Sequence, residues 1–151
     1  MDFDAYVYER LMAFPNKEEI FGRQLIYNKE DEICGTVPNL LINATDISFE
    51  GLWELVRGFG GVMFPAHVDK TANSLIANLG FIPPDSKFTA AEVKDLKKLH
   101  PLKRANPYLE SCRIISNSDA HYLEHIHEPE LTLQVEEKSV KGVLQALLNM
   151  K

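Results

Sequence analysis

The chain has 151 residues, 45% of them hydrophobic and 25% charged, an ordinary globular balance that fits one domain and can fill its core. A formal net charge of −6 and a pI near 5.3 argue against a nucleic-acid-binding face as the main role, but leave room for a small phosphorylated substrate where local metal charge outweighs the global sign. No apolar run reaches membrane-spanning length, the acidic start Met1-Asp2-Phe3-Asp4 is no signal peptide, and Cys34 and Cys112 form no CxxC pair. A cytoplasmic protein with free, buried thiols is expected, with no membrane and no nucleic-acid partner.

In chain order, Phe3, Tyr6, Val7, Leu11 and Phe14 approximate a helical stripe that Pro15-Asn16 stops. Asp2 or Asp4 sits near the positive end of that helix dipole. Gln24-Leu25-Ile26-Tyr27 and residues 32–37 flank the polar turn Asn28-Lys29-Glu30-Asp31, which predicts a β-hairpin. Residues 1–47 thus read as a helix and a hairpin insertion, and 48–151 as β/α units. Ser48 is placed to cap a helix whose broad apolar face (Phe49, Leu52, Trp53, Leu55, Val56, Phe59) is expected to pack on a core, with Gly60-Gly61 ending it.

From there strand and helix alternate. Strands are expected at Val62–Phe64, Phe88–Val93, Ile114–Ser116 and Leu131–Val135. Helical stretches are expected over Thr71–Leu79, over Asp95–Leu109 with breaks at Pro101 and Pro107, as a turn from Tyr122 to Ile126, and behind Ser139 on Val140, Val143, Leu144, Leu147 and Leu148. Strands separated by helices imply parallel pairing with right-handed crossovers. The fold class is α/β, with roughly four parallel strands in one single domain.

The chemistry gathers at strand ends. Arg113-Ile114-Ile115 is short and β-branched, as a strand buried on both faces is, and leads into Ser116-Asn117-Ser118-Asp119-Ala120-His121. If the strand continues, Asp119 and His121 share a face at its C-terminal end, where parallel α/β folds place their sites. Carboxylate plus imidazole suits Zn, Mn or Fe. The plainer reading is an Asp capping the next helix beside an exposed His. Residues 60–69, Gly-Gly-Val-Met-Phe-Pro-Ala-His-Val-Asp, again run from a glycine turn through an apolar strand to a His, His67. His125 and His127 follow in a turn where i and i+2 do not share a face, and read as surface residues. His100 lies in a basic stretch with Lys97, Lys98, Lys103 and Arg104, read as a solvated helix face.

Pro65-Ala66-His67 and Ser118-Asp119-Ala120-His121 resemble the third and fourth motifs of the PHP family, the polymerase and histidinol phosphatase domains. Residues 79–85, Leu-Gly-Phe-Ile-Pro-Pro-Asp, and Tyr122-Leu123-Glu124 resemble one bacterial branch of it. The likeness implies an irregular (β/α) barrel with up to three divalent metals (Zn, Mn or Fe) at its C-terminal mouth, hydrolysing a small phosphorylated substrate. It assigns His67, Asp119 and His121 as ligands, each to a different metal. The family's His-x-His and Thr-Asp-His motifs have no counterpart, since no His precedes His67. The resemblance therefore implies the C-terminal part of a PHP domain, a truncated product or an excised fragment, holding a scattered remnant of the cluster and expected to bind metal weakly or not at all. A partial barrel exposes edge strands and apolar surface, so a homo-oligomer is expected, and a non-catalytic module that self-associates or binds a partner is the alternative.

Overall fold

A computed structural model describes residues 2–149. It is mixed α/β with two small sheets, and it divides into two compact units, Met1–Leu52 and Trp53–Lys151.

The first unit begins with α1 (Phe3–Glu9), where the Asp2 side chain accepts from the Ala5 amide at 2.9 Å. The helix ends well before Pro15. Arg10 turns its guanidinium onto the Tyr6 ring, and Leu11 and Pro15 form isolated antiparallel bridges to Thr45 and Asn39. A short helix, α2 (Glu18–Phe21), precedes the expected hairpin of β1 (Leu25–Tyr27) and β2 (Ile33–Thr36), which pair antiparallel. The Asn28 side chain makes its turn, accepting from the amides of Glu30 and Glu32. Gln24 fastens the segment that follows: its amide donates to the carbonyls of Val37 and Asn39 and accepts from the Leu41 amide. No described residue of this unit is buried.

Helix α3 (Phe49–Gly58) crosses the boundary between the units. Ser48 caps it, accepting from the Gly51 amide at 3.1 Å. Its apolar face is not a core face as expected, for none of its residues is buried; Trp53 is half-buried, with the Arg57 guanidinium 5.9 Å from its ring.

The core lies in the second unit and is built on β3 (Ala90–Glu92), which pairs parallel with β4 (Arg113–Ile115) in the register Ala90↔Arg113, Ala91↔Ile114, Glu92↔Ile115. Phe88, Ala90, Ala91, Val93, Leu109 and Cys112 are fully buried, with Val68, Ile82 and Leu147 around them. β3 is buried throughout, whereas β4, expected to be buried on both faces, is only half-buried. The reason is neighbours. β3 has β4 on one edge and residues 65–68 on the other, through Glu92 N to Pro65 O (3.0 Å) and Val68 N to Glu92 O (2.9 Å). Among the described residues no strand pairs with β4's other edge.

Residues 62–64 and 131–135 carry no regular strand, so two parallel strands are seen where four were expected. Pro65 lacks an N–H, which limits any ladder at residues 62–66. Helix α4 (Leu75–Leu79) starts later than expected, because the buried Ser74 caps it and Asn73 before it is left-handed (φ 54°). Helix α5 (Leu99–Ala105) accepts Pro101 in its first turn, where the N–H needs no partner. Single 3-10 turns occupy Leu96–Lys98, Pro107–Glu110 and Leu123–His125. Ser139 caps α6 (Val140–Leu148), whose buried residues are Gly142, Ala146 and Leu147, while Val140 and Val143 are exposed.

Both cysteines are free as expected, but only one of them is buried. Cys34 is exposed and Cys112 is buried. Burial pushes the Cys112 thiol up to about 11, against smaller lowering effects of Lys103 and Ser111. Since the thiolate is the nucleophile, an alkylating reagent at mild pH is expected to label Cys34 and spare Cys112 until the chain is unfolded. Mass spectrometry of the labelled peptides reads this directly, and equal labelling of both in the folded chain contradicts the burial.

Candidate functional site

The C-terminal ends of β3 and β4, with the segment through His67, bring the polar side chains of three loops into one neighbourhood. At its centre is Glu92, the last residue of β3, 7% exposed. Its Oε2 accepts from the His67 amide at 3.2 Å and lies 3.9 Å from His67 Nδ1, and its Oε1 accepts from the Asn117 side chain at 3.4 Å. A carboxylate this buried needs such donors.

His67 and Asp119 both have left-handed backbones, φ 30° and 50°. Such conformations are costly for a residue with a Cβ and cluster at functional sites. The His67 ring Nε2 contacts the Asn73 carbonyl at 3.0 Å; a carbonyl only accepts, so Nε2 carries the proton. Asp119 does not continue the strand, which ends at Ile115, so the i, i+2 argument for Asp119 and His121 does not hold. They lie near each other all the same, with His121 Nε2 3.9 Å from Asp119 Oδ1, but the His121 side chain is 80% exposed.

The partners of Asp119 are lysines. Lys70 Nζ donates to its Oδ2 at 2.7 Å, and Lys94 Nζ stands 3.7 Å from the same oxygen. The Lys70 hydrogen bond, foremost, holds the Asp119 carboxyl below the usual carboxylate range; burial opposes it, and the charges of Lys70, His67 and Lys94 add to it. Asp69 fixes the loop after β3, its two oxygens accepting from the amides of Lys94 (2.8 Å) and Asp95 (3.0 Å).

A carboxyl with a lowered folded value binds fewer protons folded than unfolded between the two values, so stability rises with pH there. The Asp119 contribution is present above the unfolded value of about 4 and lost as pH falls through the folded one. Thermal melts from neutral pH downward are expected to show the melting temperature dropping below about pH 4, with Asp119→Asn flattening part of that drop. Superimposable curves for the two proteins contradict the coupling.

No family model, curated protein or solved structure matches the chain.

The residues present do not fit the metals that the PHP resemblance implies. Among the described residues no group of three or more His, Cys, Asp or Glu side chains converges on one point. His67 commits Nε2 to Asn73, Asp119 is taken by two lysines, and His121 points to solvent beside Tyr122 and Leu123, which are 65% and 85% exposed. His125 and His127 are exposed, as expected of surface residues, and His127 donates its amide to Ser118 Oγ at 3.2 Å. His100 is exposed as well. The sequence reading missed Glu92, Asn117 and Lys94. A carboxylate inside Ala90-Ala91-Glu92-Val93 was the available signal, since charge in an apolar strand needs a reason.

Proposed function

We propose that this chain is the C-terminal part of a PHP-type phosphoesterase domain, whose whole acts on phosphate esters, and that the 151-residue chain does not hydrolyse them alone. The observation that carries this reading is the pair His67 and Asp119: two residues of separate motifs, both in left-handed conformation, beside the ends of a parallel strand pair, with the His67 amide on the buried Glu92 and the His67 charge felt at Asp119. Barrel folds of this kind keep their sites at that end of the strands. The full arc of roughly four parallel strands belongs to the same proposal, with residues 62–64 and 131–135, which carry no regular strand here, in the place of its outer strands. The bonds between Glu92 and residues 65 and 68, and the alternation Leu131-Thr132-Leu133-Gln134-Val135, support it.

Hydrolysis of a generic phosphomonoester, with Mn2+ or Zn2+ added, tests the reading alongside the coding frame upstream of Met1. Expected are no turnover above the His67→Ala and His121→Ala controls and, upstream, a continuing frame with His-x-His and Thr-Asp-His. Turnover lost in both variants overturns the inertness of the isolated chain. A frame without those motifs overturns the family reading.

One observation favours the alternative of a non-catalytic, self-associating module. The open edge of β4, with Leu131–Gln134 and Leu147, lines a cavity of about 480 Å³. An unpaired strand edge invites a second strand. Sedimentation velocity over a concentration series tests it: a dimer supports self-association, and a monomer throughout removes it.

A further inference from the structure

We propose that Lys70 is the resident cation of this site: its ammonium, with that of Lys94 beside it, occupies the position at Asp119 that the PHP pattern gives to a metal ion, and ties three loops together. Lys70 lies just past His67, Lys94 just past β3 and Asp119 beyond the end of β4. One carboxylate oxygen, Asp119 Oδ2, receives both ammonium groups, at 2.7 and 3.7 Å. The tie therefore spans the ends of both core strands, and it meets Asp119 at a residue whose left-handed backbone needs holding.

Lysine suits the task. Its ammonium is a compact charge with three donors, close to what a carboxylate asks of a cation, and it is tethered to the chain. Tethering gives a local concentration in the millimolar range for a short flexible link, which a free ion must outcompete. The lysine side chains are partly exposed, 37% for Lys70 and 43% for Lys94, so the pairing is screened by salt rather than locked in a dry core. His67 and Glu92 brace the same neighbourhood: the His67 ring bonds to the Asn73 carbonyl, and Glu92 accepts from the His67 amide and the Asn117 side chain. The order of the loops then depends on lysine, not on metal. That Lys70 stands in for a metal rests on the PHP reading; that it ties the loops does not.

The test compares the wild-type chain with Lys70→Met, Lys70→Arg, Asp119→Asn and the Lys70→Met/Asp119→Asn double variant. Thermal melts, in chelator and at low and high salt, read the tie. Expected are a wild-type melting temperature indifferent to chelator, a drop in Lys70→Met, rescue by Lys70→Arg, and no further drop in the double variant beyond Asp119→Asn. A Lys70→Met chain that melts like wild type at low salt overturns the tie. Calorimetric titration with Zn2+ and with Mn2+ reads the substitution. Freed of the ammonium, Lys70→Met is expected to bind one of them about tenfold or more tightly than wild type, and the double variant to lose that gain. Wild-type binding as tight as that of Lys70→Met overturns the resident-cation role. A lowered melting temperature with no metal gain leaves the tie standing and overturns the metal ancestry, so the two failures are distinguishable.

Discussion

Replacing Phe88 by Ala is expected to remove about 3–5 kcal/mol of stability, the usual cost of deleting a buried aromatic ring. Phe88 is fully buried and heads the run into β3. Its ring meets the edge of Tyr108 at 4.9 Å between centroids, and its carbonyl accepts from the Tyr108 hydroxyl at 2.8 Å. The Ser86 carbonyl shares the single proton of that hydroxyl with the Phe88 carbonyl, so the aromatic pair also fixes the approach to the strand. Burial, foremost, raises the Tyr108 hydroxyl above its ordinary value, with Cys112 adding to it. The hydroxyl therefore remains a donor through neutral pH. Against a typical domain stability of about 5–15 kcal/mol, the loss is about a fifth of the total at the least. Denaturant unfolding measures it, with Leu123→Ala, at an 85% exposed position, expected to stay within about 0.5 kcal/mol of wild type. Equal midpoint shifts for the two would mean that Phe88 is not in the core. The effect should reach the site as well, because Glu92 stands four residues along the same run and its position follows from that of the strand.

What the sequence made legible was local. The hairpin was readable from Asn28 and its β-prone flanks, and the caps at Ser48 and Ser139 from their hydroxyls before apolar periodicity. Ile114 and Ile115 marked β4 by their branching. Less legible was whatever depends on which segment lies next to which. Burial of β3 over β4 is decided by residues 65–68 pairing on β3's outer edge, a contact of some 25 positions' separation that no local pattern encodes. The strand at Phe88–Val93 was itself readable and stands as β3, but its small Ala90 and Ala91 gave no sign that it would be the buried centre. The helix at 49–58 misled in the other direction: its stripe is amphipathic, but no described residue in it reaches burial.

The candidate site divides along the same line. His67, Asp119 and His121 were marked by type and position at strand ends; His67 meets Glu92, and Asp119 feels the charge of His67. Their backbone conformations were not legible, since a left-handed His or Asp has no sequence signal as strong as glycine's. Nor was the Lys70 pairing, which joins residues 49 positions apart. A sequence pattern can place a carboxylate at a strand's end, but it cannot say which cation arrives there first.

A methyl group added at Gly142 is expected to destabilise the chain, although the same change in most helices does the opposite. Gly142 occupies the first turn of α6 and is buried. A Cβ there would stand 2.0 Å from the Glu137 carbonyl oxygen and 3.0 Å from its carbon, and that oxygen accepts from the Ser139 amide at 2.8 Å. Ser139 in turn caps the helix by accepting from the Gly142 amide at 3.1 Å. The clash is with backbone in a closed capping turn, so no flexible side chain can swing away. Helix propensity alone favours Ala over Gly by about 1 kcal/mol. Overpacking against fixed backbone costs about 1–3 kcal/mol and is expected to win. Gly58→Ala, at the end of α3 where nothing lies within 4 Å of the added carbon, keeps the propensity gain without the clash and should stabilise by up to about 1 kcal/mol. Unfolding curves of the two variants should therefore move to opposite sides of wild type. If both move upward, the turn at Glu137 yields to the methyl group, and the cap that joins residues 131–137 to α6 is not the rigid link that these contacts describe.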